Sequence, residues 1–513
     1  MSFMRPNSPL KAEPAIGRCP PLKGLAHKLI MVVLLLAPLP ALSQTPLIDF
    51  VGTYADGPNH RIEIAVDAKG ELVAVIDDAT YPLRISGRDE VTNNGGEKIP
   101  FKRGADGQVS GYTDEGLFHR KLSSKVSADT VSMITTPARP PGVIYHYKPP
   151  LDRRDGIAVG EIAKTPLGIA TAQQIVAKIA KGTYPGVHSV LLYQGGKLVM
   201  EEYFYGYDAD RQQQLRSATK SVVSALAGIA IDRGDLSLDA KALDILKLAK
   251  FANPDPRKAK ITVRDLLTMR SGLACDDHSD VSPGRETVLD DRPDWIQAMF
   301  DLPQINDPGK AGFYCSGGVA LIGRIVEKST HSYLPDYAAR YLFKPLGIRS
   351  KDWAWNYDLT ANDKEFAQIH LRPRDMLKLG ILYANGGTWH GKRVISKAWV
   401  EASLSAQSTV DNTEYGYFWW RPWLNVNGAR VYVSAAQGNG GQKIYVLPAY
   451  HLVAVFTGGL YNQSSPMNAI MAADILPKLV TAYRTSATRP QEPARRGPVR
   501  TDVQPPQHVK SEY

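Results

Sequence analysis

The sequence has few of the features that would place it quickly. Outside its first forty residues it has no long apolar run, which excludes a polytopic membrane protein. Charge of one sign is scarce. The formal net charge is +10, but residues 1–43 carry five Lys/Arg against one Glu, and residues 484–513 carry six against three, so the body between holds about +3. That is too little to argue for a nucleic-acid partner, which needs a clustered basic patch. No Gly-x-Ser-x-Gly elbow occurs, so the common α/β-hydrolase route to a reactive serine has no support. Cysteine is limited to Cys19, Cys275 and Cys315. Cys275-Asp-Asp-His278 lacks two further ligands at zinc spacing and reads as a loop with a disulfide partner, so no metal site is expected. What remains is an ordinary globular balance, 43% hydrophobic and 22% charged over 513 residues, enough for two or three folded units.

The N-terminus has the composition of a leader. Lys23 and Lys28 precede Leu29-Ile-Met-Val-Val-Leu-Leu-Leu-Ala37, and Ala41 and Ser43 supply small residues before Gln44. This describes a secretory signal peptide over residues 1–43, and the apolar core is far short of the roughly 20 residues a membrane anchor needs. The expected protein is exported, periplasmic or secreted, with no integral span after signal removal. Cys19 leaves with the leader. The remaining pair, Cys275 and Cys315, is expected to be bridged in an oxidising compartment, two buried thiols being the alternative.

Residues 45–148 read as a β-rich domain. Ile62, Ile64 and Val66 alternate with Arg61, Glu63 and Ala65, and Leu72–Ile76 follows the Lys69-Gly70 turn, so a small sandwich or barrel is expected. Lys148-Pro149-Pro150 is a stiff linker. Residues 151–483 form the second domain. Thr171–Lys181 is helical with Gly182 as its stop, and Val187–Tyr193 and Lys197–Tyr203 flank a Gln194-Gly195-Gly196 hairpin turn. An apolar helix is expected from Ser217 to Arg233, and helical pieces and loops from about 236 to 410. Arg430–Val433, Gln442–Leu447 and His451–Phe456 read as strands and Pro466–Tyr483 as a closing helix. Strands at both ends of a helical centre imply an α+β fold, an antiparallel sheet with helices packed on it. Residues 484–513, with repeated Pro, Gln and Arg, read as a disordered tail.

Ser217-Ala218-Thr219-Lys220 carries the chemistry. A Ser and a Lys three apart on a helix share one face. At a helix start the serine hydroxyl sits among free backbone N–H groups, which favour developing negative charge. A lysine in a semi-buried, cation-rich setting can lose its proton near neutral pH and serve the serine as base. The spacing alone is weak, since Ser8-Pro-Leu-Lys11 shares it, and a plain N-cap serine beside a solvated lysine is the alternative.

Further segments converge on one family. The hairpin Val190–Tyr203, Ile261-Thr-Val-Arg-Asp-Leu-Leu-Thr-Met-Arg-Ser-Gly-Leu273, Gly312-Phe-Tyr-Cys-Ser-Gly-Gly318 and Gln437-Gly-Asn-Gly-Gly-Gln442 occur in order around the Ser–Lys pair. Over roughly residues 170–483 the chain resembles the serine beta-lactamase and penicillin-recognising superfamily, in its class C and esterase-like branch. The resemblance implies a beta-lactamase-like sheet with a helical subdomain, Ser217 as acylated nucleophile, Lys220 as proton acceptor and Tyr314 in the proton relay. It also places Ser316, Gly438 and Asn439 at substrate and oxyanion positions, with no cofactor. The pattern departs from the family at two points. Ser316 stands where the second motif usually ends in Asn, and Ala436-Gln437-Gly438 has no cation where the third motif carries Lys or His. That third-motif cation holds a substrate carboxylate in beta-lactamases. A Tyr-x-Ser second motif resembles instead 6-aminohexanoate-dimer hydrolases and related carboxylesterases. The expected substrate is therefore a small ester or amide. A beta-lactamase or D-Ala-D-Ala peptidase, and a catalytically inert binding protein of the same fold, are the alternatives.

Overall fold

The computed structural model describes residues 47–56, 60–76, 79–114, 116–140, 142–290, 292–355, 357 and 368–485. The leader expected at 1–43, and all but the first two residues of the expected tail, lie outside them.

The N-terminal strands are β1 (Gly52–Asp56), β2 (His60–Val66), β3 (Leu72–Ile76), β4 (Ala79–Gly87), β5 (Glu90–Asn93), β6 (Lys98–Arg103), β7 (Val109–Asp114) and β8 (Leu117–Ser123). They close into an antiparallel barrel, β1 pairing with β8. Alternation builds the interior: Tyr54, Ile62, Ile64, Leu72, Ala74, Ile76, Tyr81 and Leu83 all point into one core. The alternation slips at the end of β2, where Ala65 is buried and Val66 only half-buried.

The second region centres on an eight-stranded sheet. In chain order its strands are β9 (Val187–Gln194), β10 (Lys197–Tyr203), β11 (Ser408–Val410), β12 (Thr413–Tyr415), β13 (Trp420–Arg421), β14 (Ser434–Gly438), β15 (Gln442–Leu447) and β16 (Leu452–Gly458). They are arranged β10-β9-β16-β15-β14-β13-β12-β11, with every pair antiparallel. The Gly195-Gly196 turn has φ of 60° and 86°, the left-handed pair that a two-residue hairpin requires.

Five helices build the two layers around the sheet: α1 (Gly168–Ala180), α2 (Thr219–Asp232), α3 (Ser316–Thr330), α4 (Pro373–Ala384) and α5 (Leu476–Thr485). One sheet face packs with α2, α3 and α4 into the larger core, and the other packs with α1 and α5. Twelve of the fourteen residues of α2 are buried, so this helix is enclosed and held from every side.

Three readings of the sequence need correction. Ser217 does not open an α-helix: it lies in a short 3-10 turn, Arg216–Ala218, and α2 begins at Thr219. The strand expected at Arg430–Val433 is Ala429–Tyr432, paired with Trp423–Val426 in a separate hairpin. The closing helix is interrupted: Met467–Ile470 is α-helical, Met471–Ile475 is a π-turn, and α5 follows.

The two regions meet through the loop after β16. Leu460 bridges both Thr80 of β4 and Gly440, and the ring of Tyr461 is buried among the barrel's core residues.

Candidate active site

The turn before α2 sets the position of Ser217. Leu215 N–H donates to the Ile369 carbonyl at 2.8 Å. Arg216 has φ of 49°, a left-handed conformation that a residue with a Cβ adopts at a cost of about 1–2 kcal/mol. Ser217 stays partly exposed while Lys220, one turn along, is buried. Lys220 Nζ donates to Ser217 Oγ at 2.9 Å. The end of β14 closes against the same turn. A Cβ on Gly438 would lie 2.0 Å from the Leu215 carbonyl oxygen, so only glycine lets the strand come this close. Gly438 and Asn439 are thereby brought beside the serine.

Tyr314 completes the cluster. It is buried, Lys220 Nζ lies 4.9 Å from its ring centroid, and Lys220 and Ser217 both bear on the ionisation of its phenol. The tyrosine is fastened from behind by residues 275–278. Asp277 N–H donates to the Tyr314 carbonyl at 2.8 Å. The Asp277 carboxylate accepts from the backbone N–H of Ser316 at 2.7 Å and of Glu286 at 2.8 Å. Cys275 and Cys315 are joined by a disulfide, with Cα atoms 5.4 Å apart, locking this loop to the start of α3. The expected bridge is therefore present. His278 stacks on Tyr314 with ring centroids 5.0 Å apart, and its Nδ1 lies 2.7 Å from Asp411 Oδ2.

The electrostatics differ from the sequence expectation. The ionisable groups that bear on Lys220 are acids, not cations. Burial opposes its charge, but Tyr314, Glu286 and Asp277 outweigh that penalty and hold its pKa above the usual lysine value. This direction runs opposite to the loss of a proton near neutral pH expected from the sequence. Burial raises the Tyr314 pKa, and Lys220 and Ser217 pull it back only in part, so the phenol too holds its proton. Asp277 is pushed up to about 6, chiefly by burial and then by Glu286, with Lys220 opposing.

Other residues near the site fall as follows. Ser316 opens α3 with its side chain fully buried, and its backbone N–H is what engages Asp277. Asn439 Oδ1 accepts from Gly440 N–H and from Asn462 N–H, both at 2.8 Å. Gln437 Oε1 accepts from Lys443 Nζ. By strand alternation both side chains share the sheet face of Ala435 and Tyr445, opposite the serine, so Lys443 does not replace the missing third-motif cation. Tyr415, Tyr417 and Trp419 are core, whereas Trp420 is half-buried and 5.2 Å from the Tyr314 ring. No cluster of His, Cys, Asp and Glu suited to a metal occurs among the described residues.

Sequence reasoning missed Asp277, Glu286, Asp411 and Arg216. The first had a signal, since it lies inside the Cys275–His278 segment. The others are brought in by tertiary contacts that no local pattern announces.

A Ser-x-x-Lys turn feeding a buried helix, packed on an antiparallel sheet whose inner strand closes over the serine, defines a beta-lactamase-like α+β fold. The Beta-lactamase family model matches residues 171–476, and the chain belongs to that family. Three relatives are similar to it. A 6-aminohexanoate-dimer hydrolase of Paenarthrobacter ureafaciens is 25% identical over 285 residues, covering 52% of this chain and 70% of the relative. Penicillin-binding protein 4 of Amycolatopsis lactamdurans is 33% identical over 136 residues, covering 26% and 34%. Lovastatin esterase of Penicillium rubens is 30% identical over 190 residues, covering 34% and 46%. The chain thus spans less than half the length of the last two. Among the described residues, no helix is long and apolar enough to cross a membrane.

Proposed function

We propose that this is an exported serine hydrolase that cleaves a small ester or amide through an acyl-enzyme on Ser217. The observation that carries the reading is the 2.9 Å contact between Lys220 Nζ and a partly exposed Ser217 Oγ, with the buried Tyr314 ring centroid 4.9 Å from the same Nζ. Ser217 Oγ attacks the substrate carbonyl and its proton passes to the Lys220–Tyr314 pair. The pair returns that proton to the leaving alcohol or amine as the carbon–heteroatom bond breaks. Water then attacks the acyl group, which departs as a carboxylic acid and frees the serine. Because Lys220 and Tyr314 both hold protons at rest, the acylating species is the pair with one proton removed. The backbone N–H groups of Ser217 and Asn439 are the oxyanion donors in this scheme.

Relatives named 6-aminohexanoate-dimer hydrolase and lovastatin esterase support the substrate class, as does Ala436, an alanine where a carboxylate-binding cation would stand. Likeness to a penicillin-binding protein favours a second reading, a beta-lactamase or D-Ala-D-Ala peptidase. Testing the purified mature chain against nitrophenyl esters, short linear amides and nitrocefin separates them. Ester or amide turnover that disappears in Ser217→Ala supports the first reading, and rapid nitrocefin turnover or stable penicillin acylation the second. Failure of any ester to give an acyl-enzyme would favour an inert binding protein. Export is tested by the N-terminus of the secreted or periplasmic chain, expected near Gln44.

A further inference from the structure

Two residues beside the site have left-handed backbones, Arg216 with φ of 49° and Asn462 with φ of 55°. Arg216 immediately precedes Ser217. Asn462 supplies the N–H that holds Asn439 Oδ1 at 2.8 Å. Each is gripped by a side chain of the N-terminal barrel. Arg216 Nη2 donates to the Tyr81 hydroxyl at 2.9 Å, and its guanidinium lies over the Tyr461 ring at 5.0 Å. Asn94 Nδ2 donates to the Asn462 carbonyl at 2.9 Å. Between these grips Thr80 Oγ1 donates to the Gly459 carbonyl at 3.3 Å, and the rings of Tyr81 and Tyr461 lie 5.9 Å apart. Tyr81, Arg216 and Tyr461 are all buried, so solvent does not loosen the arrangement.

Taken together, the contacts run from one barrel wall to both backbone segments that flank the serine. We infer that the barrel sets the spacing of the oxyanion donors, with Tyr81 and Asn94 as positioning residues that act through Arg216 on Ser217 and through Asn462 on Asn439. The inference rests on the hydrolase reading above. A left-handed arginine relaxes toward the ordinary helical or extended regions unless something outside the local chain restrains it. Here that restraint is planar and two-sided, a hydrogen bond at the guanidinium edge and an aromatic ring at its face. If either grip is released, the Ser217 and Asn439 N–H groups no longer converge on one point, while the substrate-binding walls stay in place. Such a fault weakens transition-state binding more than ground-state binding.

The test uses the full chain with Tyr81→Phe and Asn94→Ala, and Lys98→Ala on an exposed barrel position as control. Removing a whole oxyanion donor costs on the order of 10²–10³ in kcat, so displacing one is expected to cost about tenfold. Tyr81→Phe and Asn94→Ala should each lower kcat on a nitrophenyl ester by about that factor, with KM within about twofold. The inhibition constant of a boronic acid, which mimics the tetrahedral state, should rise by the same factor, and the unfolding temperature should stay near the parent's. Kinetics within twofold of the control in both variants would overturn the inference, as would a fall in kcat with the boronate affinity unchanged. If instead turnover survives Ser217→Ala, the hydrolase reading itself has failed, whatever the barrel variants do.

Discussion

The carboxylate of Asp277 accepts the backbone N–H of Ser316 at 2.7 Å, two residues beyond Tyr314 and one beyond the half-cystine Cys315. The disulfide and this hydrogen bond therefore do the same job from two directions: both keep the loop at 275–278 pressed against Tyr314.

The bridge closes a loop of 40 residues, which in the chain-entropy treatment is worth about 4 kcal/mol. The Cys275→Ser/Cys315→Ser variant should lose roughly that much stability in guanidinium unfolding. Its kcat should fall as well, because Tyr314 loses its backing. An unchanged unfolding midpoint with full turnover would contradict this account of the loop.

The acylation rate should depend on pH in a defined direction. Lys220 is raised by its acidic neighbours and Tyr314 by burial, so the reactive, singly deprotonated pair becomes more populated as pH rises. In kcat/KM profiles the rate should climb with pH above neutrality and level off only on the alkaline side. Tyr314→Phe should lower kcat by about 10²-fold or more and move that limb. A flat profile from pH 6 to 9 would show instead that a base is already free at neutral pH.

Gly438 is predicted to be irreplaceable. In Gly438→Ala the new methyl meets the Leu215 carbonyl oxygen, so β14 must retreat from the Ser217 turn. A loss of at least about 10²-fold in kcat is expected in a protein that still folds, since the displaced strand carries an oxyanion donor. Circular dichroism and kinetics on the same preparation check this, and near-parent turnover would refute it.

Away from the site, Lys443 is a buried amine whose pKa burial lowers to about 8. Between that value and its unfolded value near 10.4 the unfolded chain binds the extra proton, so stability should rise with pH across this window. Below pH 8 the native state carries the full cost of a buried charge. Lys443→Met should therefore stabilise the protein at pH 7, by on the order of 1–3 kcal/mol, and remove that pH dependence. Denaturant titrations of parent and variant at pH 7 and 10 measure both.

How much of this could be read from the chain follows from the range of the interactions. The hairpin at Gly195-Gly196, the α+β layout and the Ser217–Lys220 spacing are local and were legible. The closed barrel was legible only as one of two β architectures, because strand alternation says which face is buried and not whether the edges meet. Strand β14 was missed because Ser434-Ala-Ala-Gln-Gly438 has no β-branched or aromatic residue, and it becomes a strand only through its neighbours β13 and β15. The acidic surroundings of Lys220 were not legible, because Asp277 and Glu286 approach it from 57 and 66 residues away in the chain. The Tyr81–Arg216 contact spans 135 residues, and no motif reports it.

The most direct measurement is the mass of the intact chain after exposure to a fluorophosphonate, followed by peptide mapping, in the parent and in Ser217→Ala. The account predicts one adduct in the parent, located on the peptide containing Ser217, and none in the variant. An adduct on any other residue, or undiminished labelling of Ser217→Ala, would contradict it.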